Sequence, residues 1–323
     1  MIYTMNNCWE QLPPQFVERV ARIVPAELKE RILESFCHKR PTTLRVNTLK
    51  SDKERVARVL DLLGLSHHSP SWYSDAFILE GDPFQTLGLI MDTEMYKNGE
   101  IYVQNLSSMI PPLVLDPQPG SRILDIAAAP GSKTTQMAMM MKDSGEIIAN
   151  DLSPIRIFKL KANLAGQGVT HTNTNRMPGQ FLWKRFPHYF DKALVDAPCS
   201  LEGTIYTERP KSYGMWSVHK IKELSQRQRY LLRSAISATK VGGEIVYSTC
   251  TLAPEENEGV IDWILAKENV ELIPISIHGL NTFPGITQWG NAKPYDPRVN
   301  SCMRIYPTEL MEGFFVAKLR KLA

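Results

Sequence analysis

The stretch Ile123–Lys133, ILDIAAAPGSK, is the one whose reading decides the fold. Its apolar residues Ile123, Leu124 and Ile126 flank Asp125 and predict a buried parallel strand. Three alanines, a proline and a glycine then make a turn with almost no side-chain bulk. The run TTQMAMMMK that follows predicts a helix, whose first backbone N–H groups would lie open to a ligand. Asp151 closes the next apolar segment, IIAND, twenty residues past Gly131. A strand, a small-residue turn, a helix and an acid closing the next strand are how an open α/β sheet holds a ribose-bearing cofactor. The GxGxxG pattern of a dinucleotide site is missing, so a mononucleoside-type cofactor fits better.

The 323 residues around this stretch suit one large domain and a smaller one, and 43% apolar with 22% charged residues is ordinary for a globular chain. No apolar run reaches the ~18 residues a membrane span needs. The start, MIYTMNNCWEQ, lacks a basic segment followed by an apolar block, so we expect a cytoplasmic protein without a secretory signal. Cys8, Cys37, Cys199, Cys250 and Cys302 are odd in number, widely spaced and form no CxxC pair, which argues against a disulfide framework and against a metal site. Cys8 is expected in a mobile terminus and Cys37 as helix-end packing. The formal charge of +3 decides little, but its distribution is uneven. Between Ile205 and Lys240, Arg209, Lys211, Lys220, Lys222, Arg227, Arg229, Arg233 and Lys240 face only Glu208 and Glu223, with Tyr206, Tyr213, Trp216 and Tyr230 interleaved. That is either a phosphate-facing strip or a solvated helix face.

In chain order, PPQFVERVARIV and PAELKERILESF predict two helices. TTLRVNTL, DKERVARVLDLLG and WYSDAFILEG predict a strand, a helix and a strand, hence a small α+β module over roughly residues 40–100. Turn-forming prolines and glycines place a domain boundary near Pro111–Gly120, giving residues 1–113 and 114–323. Beyond it strands and helices alternate, which predicts a parallel sheet covered on both faces with working residues at the carboxyl ends of strands. Asp125, Asp151, Asp196 and Cys250 all fall at such ends. In ALVDAPCSLEGT, Cys199 follows Asp196 on a loop, and in VYSTCTLAPEENE, Cys250 leaves the next strand. A lone cysteine after a proline is more often packing than nucleophile. Two thiols brought into one crevice beside a carboxylate leave nucleophilic catalysis or a redox pair.

DIAAAPGSKTTQMA, DAPCS and YSTC, in this order, resemble the RNA (cytosine-5-)methyltransferases of the Nol1/Nop2/Sun family, as do VQNLSSMIPPLVLDPQPGSRILD and GFFVAKL. The resemblance covers nearly the whole chain. It implies a Rossmann-like S-adenosylmethionine-dependent methyltransferase sheet with a smaller N-terminal α+β, RRM-like domain. It implies that Ala127, Ala128, Ala129, Pro130, Gly131, Ser132 and Lys133 hold the methionine part of S-adenosylmethionine, with Asp151 on its ribose and Arg156 and Asp196 beside it. It makes Cys250 the thiol that adds to carbon 6 of cytosine, Asp196 the contact to N3 and the exocyclic amine, and Cys199 the aid to release. Lys133 could also reach the base, although a surface lysine is the plainer reading. The chain departs from the family pattern at Asn105, where Asp is usual, at Met177 in TNTNRMPG, near a place often acidic, and at Thr308, where His is common. An RNA partner, either ribosomal or transfer RNA, a monomer, and the compact form without extra RNA-binding domains are the further expectations. A non-catalytic RNA-binding factor and a thiol redox enzyme stand as alternatives.

Overall fold

A computed structural model describes residues 7–291 and 293–323. The elements run α1 (Pro14–Ile23), α2 (Lys29–Ser35), β1 (Thr43–Val46), α3 (Lys53–Leu62), β2 (His67–His68), β3 (Ala76–Leu79), α4 (Pro83–Asp92), α5 (Glu94–Lys97), β4 (Ile101–Val103) and α6 (Leu106–Leu115). They continue with β5 (Arg122–Asp125), α7 (Ser132–Met140), β6 (Glu146–Asn150), α8 (Pro154–Gly166), β7 (Thr172–Asn175), β8 (Phe190–Asp196), α9 (Val218–Ala238) and β9 (Thr239–Thr249). Then come α10 (Glu258–Leu265), β10 (Val270–Ile273), β11 (Phe283–Pro284), β12 (Met303–Ile305) and β13 (Phe314–Lys321).

Two sheets result. The first is four-stranded and antiparallel, in the order β2-β3-β1-β4, around Leu44, Val46, Val56, Leu60, Phe77 and Ile101. The second has nine strands, in the order β11-β12-β13-β9-β8-β5-β6-β7, with β10 on β13. Its block β9-β8-β5-β6-β7 is parallel, as the βα alternation predicts. The parallel prediction fails at β13, which runs antiparallel to β9 and β12. The chain reaches β13 from β12 through a short loop rather than a crossover, and a short loop can join only antiparallel neighbours.

Alternation along the central strands sorts the core onto two faces. Val195, Tyr247 and Phe315 meet Leu231, Leu232, Val260 and Ile261 of α9 and α10. Leu194, Val246 and Val316 meet Ile110, Val114, Met137, Leu160 and Leu164 of α6, α7 and α8. The segment carrying Pro111 and Pro112, read from sequence as turn-forming, is therefore helix. Each interior proline removes a helical bond, but eight of the ten residues of α6 are buried, and that burial outweighs the local preference.

The helices α1 and α2 pack, through Phe16, Val20, Leu33 and Phe36, on Ile205, Leu252 and Tyr306. They therefore cover the loops that follow β8 and β9. A disulfide joins Cys8 to Cys37, Cα atoms 6.0 Å apart, which corrects the expectation of unpaired cysteines there and of a mobile Cys8. The α1–α2 hairpin folds two positions 29 residues apart onto each other, a proximity that spacing alone does not reveal. At the other edge, Arg304 of β12 donates to both oxygens of Glu258 on α10 (2.6 and 2.5 Å), with both side chains buried. Removing one partner of such a pair leaves an uncompensated charge in the core. Glu258→Ala should therefore lower the unfolding free energy by about 3–5 kcal/mol, measured by guanidinium denaturation.

Candidate active site

Because β9, β8, β5 and β6 are parallel, their carboxyl ends open on one edge, and the chain reverses its direction of winding at β5. Asp125 ends β5, Asp151 follows β6, Asp196 ends β8 and Cys250 follows β9. Asp125 is 1% exposed and accepts from Thr134 Oγ1 (2.7 Å), while its Oδ1 has no donor. Burial, partly offset by Thr134, pushes its carboxyl up to about 7.

The small-residue turn is held from both sides. Ala128 N–H donates to the Asn150 carbonyl (2.8 Å), and Arg156 Nη2 donates to the Ala129 carbonyl. Gly131, at φ +112°, caps the start of α7 in a left-handed conformation that side-chain-bearing residues rarely adopt, with Leu160 of α8 close by. Asp151 accepts from Ser153 N–H (2.9 Å). Arg156 Nη1 lies 3.2 Å from the other carboxylate oxygen without hydrogen-bond alignment, so that buried oxygen still lacks a donor. Asn150, which the sequence reading passed over, bonds the Ile126 carbonyl, both backbone groups of Met177 and the Asn175 amide. It ties three strand ends together, and no local signal marks it.

The two cysteines meet. Cys199 Sγ lies 3.3 Å from Cys250 Sγ, and both side chains are partly buried. The hydrogen bond with Cys250, then burial, raises the Cys199 thiol well above the usual range. Lys133 is buried rather than on the surface. Its Nζ donates to Asp196 Oδ2 (2.7 Å) and to Ser108 Oγ (2.9 Å), and Ser248 Oγ donates to Asp196 Oδ1 (2.9 Å). Burial works against the Lys133 ammonium, but Asp196 and then Cys250 outweigh it and raise its pKa.

The loops behind the thiols are laced together. Gly203 N–H donates to the Cys250 carbonyl (2.9 Å), Ser200 Oγ meets Thr251 Oγ1 (2.7 Å), and Thr251 donates to Glu202 (3.1 Å). Glu256 accepts from Ser200 N–H (3.1 Å) and Gln228 Nε2 (2.7 Å), and burial raises its carboxyl to about 8. Arg19 of α1 grips Glu255 with two hydrogen bonds (3.1 and 2.7 Å). Ser108, Ser248, Glu202 and Glu256 all escaped the sequence reading, since their side-chain partners lie 14 to 56 residues away.

The basic strip is partly spent. Lys220, Arg233 and Lys240 are bound to Glu223, Glu268 and Asp191, whereas Arg209, Lys211, Lys222 and Arg227 are exposed. Trp216 donates to Glu202 (2.8 Å) and packs edge-on to Phe16, and Tyr213 joins the same cluster, so both rings contribute to the packing of α1 and α2. Of the departing residues, Asn105 donates to Glu312 (2.6 Å) and Thr308 shapes a turn by accepting from Leu310 and Met311 N–H.

Residues 112–320 match the family model for the 16S rRNA methyltransferase RsmB/F, and residues 12–83 that for the ferredoxin-like domain of RsmF/B-like methyltransferases. The chain belongs to the RsmB/F methyltransferase family. Its fold is the Rossmann-like one of S-adenosylmethionine-dependent methyltransferases, joined to a ferredoxin-like domain. It is 38% identical, over 86% of its length and 88% of the relative's, to a tRNA (cytosine(49)-C(5))-methyltransferase of Pyrococcus abyssi. It is 35% identical, over 97% of its length, to ribosomal RNA small subunit methyltransferase F of Cronobacter sakazakii, of which it spans 64%. Among solved structures it is similar to a methyltransferase homologue from Pyrococcus horikoshii (33% identity, TM-score 0.80, covering 96% of this chain and 100% of that one). It is also similar to NSun6 from Pyrococcus horikoshii solved with SFG (25%, 0.82, covering 97% and 99%). Among the described residues no helix is long and apolar enough to cross a membrane.

Asp125 yields a test of the site's electrostatics. A carboxyl raised from 3.8 to about 7 keeps a proton that the unfolded chain gives up, so its contribution to stability is complete below about pH 4 and is lost by about pH 7. Asp125→Asn, neutral and of the same shape, should flatten this fall, with its Tm advantage over the parent growing across that window in thermal melts.

Proposed function

We propose that this chain is an S-adenosylmethionine-dependent RNA (cytosine-5-)methyltransferase that works through a covalent adduct between Cys250 and the target cytosine. The observation that carries the reading is the thiol pair, 3.3 Å apart, beside the Lys133–Asp196 ion pair on the carboxyl edge of the sheet. S-adenosylmethionine, when bound, supplies an electrophilic methyl group. The residues present suit it. Ala127–Lys133 form a small-residue turn at the start of α7, the donor-free oxygen of Asp151 is suited to a ribose hydroxyl, and Arg156 braces both. Met177 turns its backbone groups to Asn150 and offers no acid, so adenine recognition falls to apolar contact and backbone groups.

In this reading the Cys250 thiolate adds to carbon 6 of a cytosine flipped out of its stack. The bond pair displaced toward carbon 5 makes that carbon nucleophilic, and it takes the methyl group. Asp196, held between Lys133 and Ser248, contacts the exocyclic amine and N3, and the Lys133 ammonium paired with it offsets the negative charge that accumulates there on addition. The carbon 5 proton then passes to solvent water, its electron pair restores the ring double bond between carbons 5 and 6, and the carbon–sulfur bond breaks to return Cys250 as the thiolate. Cys199, 3.3 Å from Cys250, assists this release by helping to eliminate the carbon 5 proton and so to free Cys250. The exposed Arg209, Lys211, Lys222 and Arg227 attract the RNA backbone. The protein acts as a monomer in the cytoplasm, on ribosomal or transfer RNA.

The test is methyl-labelled S-adenosylmethionine incubated with total RNA. Label should appear as 5-methylcytidine, and the absence of transfer would remove the reading. Cys250→Ala should abolish transfer. Cys199→Ala should accumulate a protein–RNA adduct that survives denaturing gel electrophoresis. An adduct with Cys250→Ala instead would exchange the two roles, and a dithiol oxidised by the substrate without label transfer would favour the redox alternative.

A further inference from the structure

A cavity of about 650 Å3 lies where the ferredoxin-like module meets the catalytic sheet, and none of the residues assigned above to catalysis or cofactor binding lines it. Its walls come from the chain before β1 (Lys39, Arg40), the start of α4 (Phe84), the entry to α6 (Asn105), the loop after Cys199 (Arg209) and the loop before β13 (Glu312). The size is in the range of small-ligand sites.

Two features of this cavity lack a structural explanation. Arg40 forms no ion pair among the described residues, and its Nε and Nη2 are buried without an acceptor. Buried donors left unsatisfied cost about 1–3 kcal/mol each, more when charged, unless a ligand supplies acceptors. Glu312, the carboxylate whose field reaches Arg40, is already engaged by Asn105 (2.6 Å). Phe84, in the first turn of α4, is 68% exposed with the Lys39 ammonium 4.1 Å from its ring centroid. The ring adds nothing to the module's core.

The cavity also touches the reacting centre through one turn of helix. Asn105 caps α6 at the cavity, and Ser108, three residues on, holds Lys133, which holds Asp196. Arg209 stands on the loop that leaves Cys199.

We propose that this cavity seats a nucleotide of the substrate RNA flanking the target cytosine, its base stacked on Phe84 and its phosphate on Arg40 and Arg209. Enzymes that flip a base read the neighbouring nucleotides as well, and base stacking on an aromatic ring is the sequence-tolerant way to hold one. The inference rests on the RNA reading given above.

The experiment measures binding of a short single-stranded RNA of mixed sequence to the full chain by fluorescence anisotropy, with S-adenosylmethionine affinity and thermal melting measured alongside. Phe84→Ala should weaken RNA binding about tenfold, Phe84→Tyr should restore it, and neither should change S-adenosylmethionine affinity or Tm. Arg40→Gln should weaken binding and reduce the salt dependence by about one counterion. Phe84 is on the surface, so its variants remain informative even if Arg40→Gln misfolds. A parent protein that binds RNA while Phe84→Ala binds it equally well would overturn the flanking-nucleotide site alone. A parent protein that takes S-adenosylmethionine but no RNA would overturn both readings.

Discussion

The parallel register of β8 on β9, with Asp196 opposite Ser248, is the constraint on which the site depends. It places the ends of the two strands side by side, so the loops that leave them must run together. Ser200 on Thr251, Gly203 on the Cys250 carbonyl and Ser200 N–H on Glu256 are the bonds that hold them there. A thiol contact of 3.3 Å between residues 51 apart in the chain follows from that pairing, not from either loop alone. The adjoining strand β5 adds the small-residue turn, and its central position makes the reversal of winding coincide with the crevice.

Within this crevice the dielectric is low, and each ionisable group is set by what it touches. Lys133 stays charged because Asp196 offsets its desolvation, while Asp125 and Glu256, buried without a cation in hydrogen-bond contact, shift toward neutrality. The result is one fixed ion pair beside the thiols and, behind them, acids whose burial favours the protonated form.

The amino-terminal part of the chain does two separate jobs. The α1–α2 hairpin, closed by Cys8–Cys37, packs on the loops that carry the cysteines and grips Glu255 through Arg19. The ferredoxin-like module is anchored through Arg45, which is fully buried and donates to Gln104 (3.1 Å), Met139 (3.1 Å) and Thr135 (3.0 Å), joining β1 to α7. An arginine satisfied by neutral acceptors at this junction, two of them on α7, fixes the module against the sheet.

Local chemistry was legible in the residues themselves. The small-residue turn before α7, the acids and cysteines at strand ends, and the βα alternation appear in the sequence because each depends on a few neighbouring residues and on side-chain periodicity. The motif order carried the family resemblance for the same reason. What spacing along the chain leaves open is pairing between distant segments. The antiparallel β13, the proline-containing α6, the Cys8–Cys37 bond, the burial of Lys133 by Ser108 and Asp196, and the capture of Trp216 by Glu202 were decided only when the chain packed. Each is a contact between segments whose relative position is set by loop closure and core burial rather than by local preference, and tertiary burial prevails wherever the two disagree.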